Sequence, residues 1–235
     1  YYFQNMEDTK SNLEEYELNY DSSLLSVSED PKQREGKFVD FPSILRSLNI
    51  VEVDIMDFSD YEGANIIQDL NTLIKNHDIF EKYDLIIDGG TLEHVFHVPN
   101  AFENFFKLLK IGGRILHFAP SSNHVDHGFY MFSPTLFHDY YTTNDYIVNE
   151  IYLYSYRADN LYGFWTLYEY FPGALHKLQL GGLDNKMYGV YCVCEKKAET
   201  TYNKIPQQTM YSKNLWIGDK NKVDWDYDNL KFIRQ

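Results

Sequence analysis

The stretch YDLIIDGGTLEHVFHVPNAFENFFKLLKIGGRILHFAP, residues 83–120, decides the fold class. It opens with YDLIIDGG (83–90), a short apolar run closed by an acid and two glycines, which reads as a buried strand. PNAFENFFKLLKIGGR (99–114) follows, with Phe102, Phe105, Phe106 and Leu109 at helical spacing. Asn100 is placed to cap this helix, Lys107 and Lys110 sit near its C-terminus, and Gly112 and Gly113 are read as its stop. RILHFAP (114–120) is the next strand, ended by Pro120. A strand, a helix and a strand in this order are the sequence form of a parallel pair joined by a helical crossover.

The same order extends upstream. SLLSV (23–27) is a candidate first strand, and FVDFPSILRSLNI (38–50) carries Ile44, Leu45 and Leu48 at helical spacing. VEVDIMDF (51–58) alternates like a strand, and ANIIQDLN (64–71) is a short strand ending in Asp. Downstream, KMYGVYCVCEKK (186–197) suits a final strand buried at Val190, Cys192 and Cys194. Residues 150–180 are rich in aromatic side chains and read as a lid or insertion, whose role is open between a substrate wall and an aromatic core or dimer surface. Residues 198–235, with Trp216 and Trp225, read as a polar extension. YYFQN (1–5) resembles the remnant of an engineered protease site, so a single domain is expected over 6–197.

In a sheet of this kind ligands sit beyond the carboxyl ends of the strands. Those ends carry Ser28 and Glu29, Asp54, Asp69 to Asn71, Asp88 to Gly90, and Pro120 to Asn123. One such acid is ordinarily a turn or helix cap. Three in register make a binding edge.

The 235 residues are long enough for one substantial core, and the 44% hydrophobic and 24% charged content is that of a globular protein. Aromatic residues make up 17%, with 21 Tyr and 16 Phe, which calls for broad amphipathic packing surfaces. A formal net charge of -14 repels phosphate backbones and argues against a nucleic-acid partner. Cys192 and Cys194 are too close in sequence to staple distant segments, so they read as reduced core residues. With no signal peptide and no long apolar run, a cytoplasmic protein with no membrane partner is expected.

VEVDIMDF, EGANIIQDLN, YDLIIDGGTLEHV and FFKLLKIGGRILHFAP, in this order, resemble the class I S-adenosylmethionine-dependent methyltransferases. DYEGANIIQDLN, DGGTLEHVFHVPNA and HGFYMFSPTLFHDYY resemble more narrowly a bacterial group of small-molecule methyltransferases associated with surface-glycan biosynthesis. The resemblance covers roughly 100 to 130 residues and implies an α/β, Rossmann-like three-layer sandwich with a mostly parallel sheet, plus the aromatic-rich insertion and the C-terminal tail. It implies S-adenosylmethionine as cofactor. Asp54 would accept from the ribose hydroxyls, Asp69 and Leu70 would meet the adenine, and Asp88 with Gly89 would face the methionine portion. Ser28 and Glu29 stand where the family has a glycine-rich loop. SVSEDPKQ contains no glycine, so a non-catalytic binding or regulatory module of the same fold is the alternative.

Methyl transfer to a hydroxyl is an in-line displacement that benefits from a base. SSNHVDHGFYMFSP (121–134) follows the fifth strand of the family pattern and offers His127 and His124, with Tyr130 as a pocket wall and Asp126 as an orienting acid. Structural hydrogen bonding is the competing role for both histidines. Glu93, His94, His97, His124, Asp126 and His127 are also metal-ligand types, but their spacing is not that of a zinc motif, and no metal is expected. The expectation is an enzyme methylating a small polar metabolite, such as a sugar or a phosphorylated polysaccharide precursor, with a homodimer admitted by the aromatic surface.

Overall fold

A computed structural model of the chain describes residues 4–60, 63–160, 165–178, 180–209 and 232–234. Its contacts divide into two compact units, Tyr1–Asp69 and Leu70–Gln235.

In the first unit, helix α1 (Met6–Glu15) is capped by Asn5, whose side chain accepts from the Glu7 and Asp8 amides. Helix α2 spans Pro31–Glu35, and α3 (Phe41–Ser47) is capped by Asp40 with Pro42 in its first turn. The strand expected at 23–27 is instead a 3₁₀ turn, Ser22–Leu24, followed by an isolated bridge between Val27 and Val39. Asp21 explains the difference, because its carboxylate accepts from the Ser23 amide and hydroxyl and favours a turn there. Strands β1 (Met56–Asp57) and β2 (Ile66–Ile67) pair in parallel, Met56 with Ile66 and Asp57 with Ile67.

The second unit holds β3 (Tyr83–Gly89), α4 (Val98–Leu108), β4 (Leu109–Pro120), α5 (Pro134–Thr143), β5 (Ile147–Tyr156), β6 (Thr166–Glu169), β7 (Met187–Glu195) and β8 (Phe232–Arg234). They form one sheet in the order β3-β4-β7-β5-β6-β8. The α/β class holds, and β3-α4-β4 is the expected parallel crossover unit. The rest of this sheet is antiparallel, not mostly parallel: β7 inserts between β4 and β5 and runs against both. The residues expected as an insertion over 150–180 supply β5 and β6 of the sheet. Along β5, Ile151, Leu153 and Ser155 are buried on one side, while Tyr152, Tyr154 and Tyr156 stand on the other, with Tyr154 buried as well.

Helix α4 ends earlier than the glycine pair predicts. Leu109 is already extended, and the last carbonyls find partners elsewhere. Glu81 and Lys82 amides donate to Lys107 and Leu108, and the buried Lys196 ammonium donates to the Phe106 and Leu109 carbonyls. No C-cap glycine is needed. Gly112 and Gly113 lie inside β4, where the register against β3 shifts between Tyr83 and Leu85. Gly112 has φ of 81°, and a Cβ on Gly113 would stand 2.9 Å from the Tyr83 carbonyl oxygen. Asn100 does not cap α4 either. It sits in the first turn and donates to the Asn71 carbonyl at 2.6 Å.

Helices α4 and α5 pack on the same face of the sheet. Phe102 and Phe105 from α4, and Phe137 and Tyr141 from α5, surround the ring of His117 on β4. Phe102 also stacks on Tyr140 with centroids 4.2 Å apart. Ile115, Ile151, Val190, Cys192 and Cys194 complete this core from the strands. The two cysteines are free and buried, with sulfurs 3.5 Å apart. Among the described residues no helix is long and apolar enough to cross a membrane. Trp216 and Trp225 lie outside the described residues.

Candidate functional site

Because β3 and β4 run in parallel, the chain leaves both at the same edge. Gly89 pairs with Phe118, and the Gly90 amide donates to the Phe118 carbonyl at 3.0 Å. Gly90 has φ of 84°, which a side chain would strain. A single 3₁₀ turn follows, Leu92–His94, and Asp88 Oδ1 accepts from the Thr91 and Leu92 amides at 3.3 and 3.2 Å. The segment after β4 is fastened to this turn. The Phe129 amide donates to the Glu93 carbonyl at 2.8 Å, with the Tyr130 amide at 3.3 Å. Gly128 permits the approach, since a Cβ there would lie 2.9 Å from Glu93 O and 3.0 Å from Glu93 Cγ.

This fastening brings Glu93, His94, His124 and His127 together. The buried Glu93 carboxylate has Oε1 3.4 Å from His127 Nε2 and 3.9 Å from His94 Nε2. His127 lies 5.2 Å from the His94 ring and 5.7 Å from the His124 ring, centroid to centroid. Burial pushes the Glu93 carboxyl up, with the Asp88 charge adding to it and the two imidazoles opposing it. Burial and the neighbouring His127 push His124 down, so a neutral imidazole is favoured there. Glu93 Oε2 and His124 Nε2 are buried without a protein hydrogen-bond partner.

Tyr130 donates to the Phe96 carbonyl at 2.8 Å. With Phe96, Phe132, Leu136 and Tyr202 it lines a cavity of about 650 Å³. Phe129 beside it is exposed.

Behind the turn lies a buried relay that sequence reading missed. Asp88 Oδ2 is 2.6 Å from His117 Nδ1, and His117 Nε2 is 2.6 Å from the Tyr141 hydroxyl. All three groups are satisfied when Nδ1–H donates to Asp88 and the Tyr141 hydroxyl donates to Nε2. Burial holds the Tyr141 phenol well above its ordinary range. The available signal was alternation: Ile115, His117 and Ala119 share the inward side of β4, and an inward His in an apolar strand requires partners.

The remaining candidates fall as follows. Ser28 is buried, its amide donating to Phe38 O, and its hydroxyl accepts from the Asp30 amide at 3.3 Å; Glu29 is exposed. Asp54 accepts from Asn65 Nδ2 at 2.7 Å and lies ahead of β1, not at its end. Asp57 occupies the carboxyl end of β1, and its Oδ1 accepts from the Ser59 amide. Asp69 closely follows β2, and Leu70 packs against the core of the second unit. Gly89 is exposed, with no atom within 4 Å of where a Cβ would stand.

No family model matches this chain, and no curated protein does. Among solved structures it is similar to TehB from Haemophilus influenzae, at 20% identity over 66% of this chain, with a TM-score of 0.36. That match takes in about half of TehB's own length, 54%. It is also similar to the PH0226 protein from Pyrococcus horikoshii OT3, at 11% identity over 66% of this chain and 78% of that one, with a TM-score of 0.30. At these TM-scores neither carries a functional assignment, which rests on the residues of the site.

Proposed function

We propose that the chain is an S-adenosylmethionine-dependent methyltransferase that methylates a small polar acceptor at a hydroxyl oxygen. The observation that carries this reading is the meeting of Glu93 with His127 and His124 at the carboxyl edge of the parallel pair β3/β4. The ordered sequence resemblance over Val51 to about Tyr146 supports the cofactor class.

When bound, the cofactor supplies an electrophilic methyl on a sulfonium. The chain's own residues then have separate tasks. Gly89, open where a side chain would stand, leaves room for a close approach to the strand end. The resemblance gives the ribose hydroxyls to Asp54, and Asp57 is the acid at the carboxyl end of β1. Asp69 and Leu70 keep the adenine role that the resemblance implies. His127, held by Glu93, accepts the acceptor's proton as its oxygen attacks, with the neutral His124 beside it. A sugar or phosphorylated glycan precursor is the acceptor class that the narrower resemblance favours.

A second reading, a non-catalytic module of the same fold, is favoured by one observation. The Asp88 carboxylate, expected to face the methionine portion, is engaged by His117 and two backbone amides. Calorimetric titration with S-adenosylmethionine and S-adenosylhomocysteine separates the two. Micromolar binding, abolished by Asp57→Ala or Asp54→Ala, supports the enzyme and tells which acid holds the ribose. No binding to the folded chain supports the module. Given an acceptor, His127→Ala lowers turnover by about 10²-fold with cofactor affinity retained.

A further inference from the structure

The Glu93 cluster has a property that proton transfer alone leaves unexplained. Glu93 is 1% exposed, yet Oε2 has no hydrogen-bond partner and Oε1 faces two imidazole nitrogens. A carboxylate buried in this way ordinarily has its oxygens satisfied or is matched by a positive charge. The surrounding backbone is shaped for it. A Cβ on Gly90 would stand 3.3 Å from Glu93 Oε1, and one on Gly128 would press on Glu93 Cγ at 3.0 Å.

We propose that Glu93, His94 and His127 form a binding site for one first-row divalent cation of the zinc type. One ligand atom from each lies within 4.8 Å of the others. Donors placed tetrahedrally about 2.0–2.1 Å from a zinc ion are about 3.3 Å from one another. The 3.4 Å between His127 Nε2 and Glu93 Oε1 already meets this, and the 3.9 Å to His94 Nε2 needs a small inward movement. Both imidazoles are free to make it, being 50% and 51% exposed, while the carboxylate is the fixed member. Two imidazoles and a carboxylate suit zinc, cobalt or iron(II) and not magnesium or calcium, which prefer oxygen.

Three protein ligands leave a coordination position open toward solvent, the arrangement of a reactive rather than a structural site. A hydroxyl or water bound there would be made more acidic. His127 Nε2 is then a ligand, and His124, whose Nε2 has no protein partner, is the imidazole left to receive a proton. A cation bound there would take His127 out of the base role proposed above, and its binding is tested with the cation alone.

The experiment is a titration of tag-free, chelator-treated protein with cobalt(II) alone, read by visible d–d absorption. The expected result is one cobalt per chain, with affinity at least tenfold weaker in both His94→Ala and His127→Ala. Their half-exposed side chains can be removed without disturbing the core, and circular dichroism checks this. Absence of a d–d band in the parent, or equal affinity in the parent and both variants, overturns the proposal. Since no S-adenosylmethionine is present, that failure is distinct from failure of the methyltransferase reading.

Discussion

Replacing His117 by Leu removes the centre of the buried Asp88–His117–Tyr141 relay. The imidazole is fully buried and makes two 2.6 Å hydrogen bonds, one to a carboxylate and one to a phenol. Leu fills much of the volume among Phe102, Phe105 and Phe137 but offers neither a donor nor an acceptor. Asp88 Oδ2 and the Tyr141 hydroxyl are then left buried without their partner. Each buried group left without its partner costs about 1–3 kcal/mol, and more for the carboxylate, so the two together cost about 3–5 kcal/mol, far above the roughly 1 kcal/mol of an ordinary hydrogen bond. At about 2–4 °C per kcal/mol for a chain of this size, the melting temperature falls by roughly 6–20 °C. Tyr141→Phe, which strands only Nε2, costs about 1–3 kcal/mol. Urea unfolding followed by near-ultraviolet circular dichroism, with scanning calorimetry alongside, measures both. A His117→Leu chain within 1 kcal/mol of the parent would refute the reasoning, since an unpaired carboxylate in that core cannot be so cheap.

Three further outcomes are expected. Gly128→Ala forces a methyl against the Glu93 backbone and side chain, so stability drops by about 1–3 kcal/mol in urea unfolding; a neutral effect would mean that the two loops are not fastened as described. Lys196→Met strands the Phe106 and Leu109 carbonyls at the end of α4, costing about 1.5–3 kcal/mol, and Lys196→Arg recovers less than half of it because the fork does not fit a site shaped for an ammonium. Burial raises the phenols of Tyr140, Tyr141, Tyr146 and Tyr154 above their ordinary value of 10.0. A raised phenol contributes stability that is intact below pH 10 and is lost as pH climbs toward the folded-state value. Absorbance at 295 nm, a wavelength of roughly maximal phenolate signal, then shows these tyrosines ionising only together with alkaline unfolding, whereas exposed ones titrate smoothly.

Much of the second unit was legible in the sequence. The apolar run of β3, the aromatic stripe of α4 and the alternation of β7 are local patterns, and each formed its element. The errors share a cause. Gly112 and Gly113 were read as a helix stop because glycine punctuates chains locally, but the C-terminal carbonyls of α4 are satisfied by Lys196, Glu81 and Lys82, while Gly112 takes a positive φ and Gly113 serves a close approach to Tyr83. Residues 150–180 were read as an insertion because aromatic density looks like a surface, whereas pairing with β7 makes 147–156 an interior strand. The acid at the end of β1 was assigned as Asp54 because an alternating run does not mark where pairing stops.

For the site, the sequence by itself determined the chemical inventory: an acid and two glycines closing a strand, a Glu-His pair after it, and two more histidines after the next strand. Those residue types and their order follow from covalent sequence alone. Only the tertiary structure decided the grouping. Parallel pairing of β3 and β4 brings Glu93 to His127 across 34 positions of chain, and the same pairing turns Asp88 inward onto His117. Hydrogen bonds and ion pairs act over a few ångströms, and distance along the chain does not encode distance in space. Which acid stayed at the rim and which was drawn into the core was therefore fixed by packing.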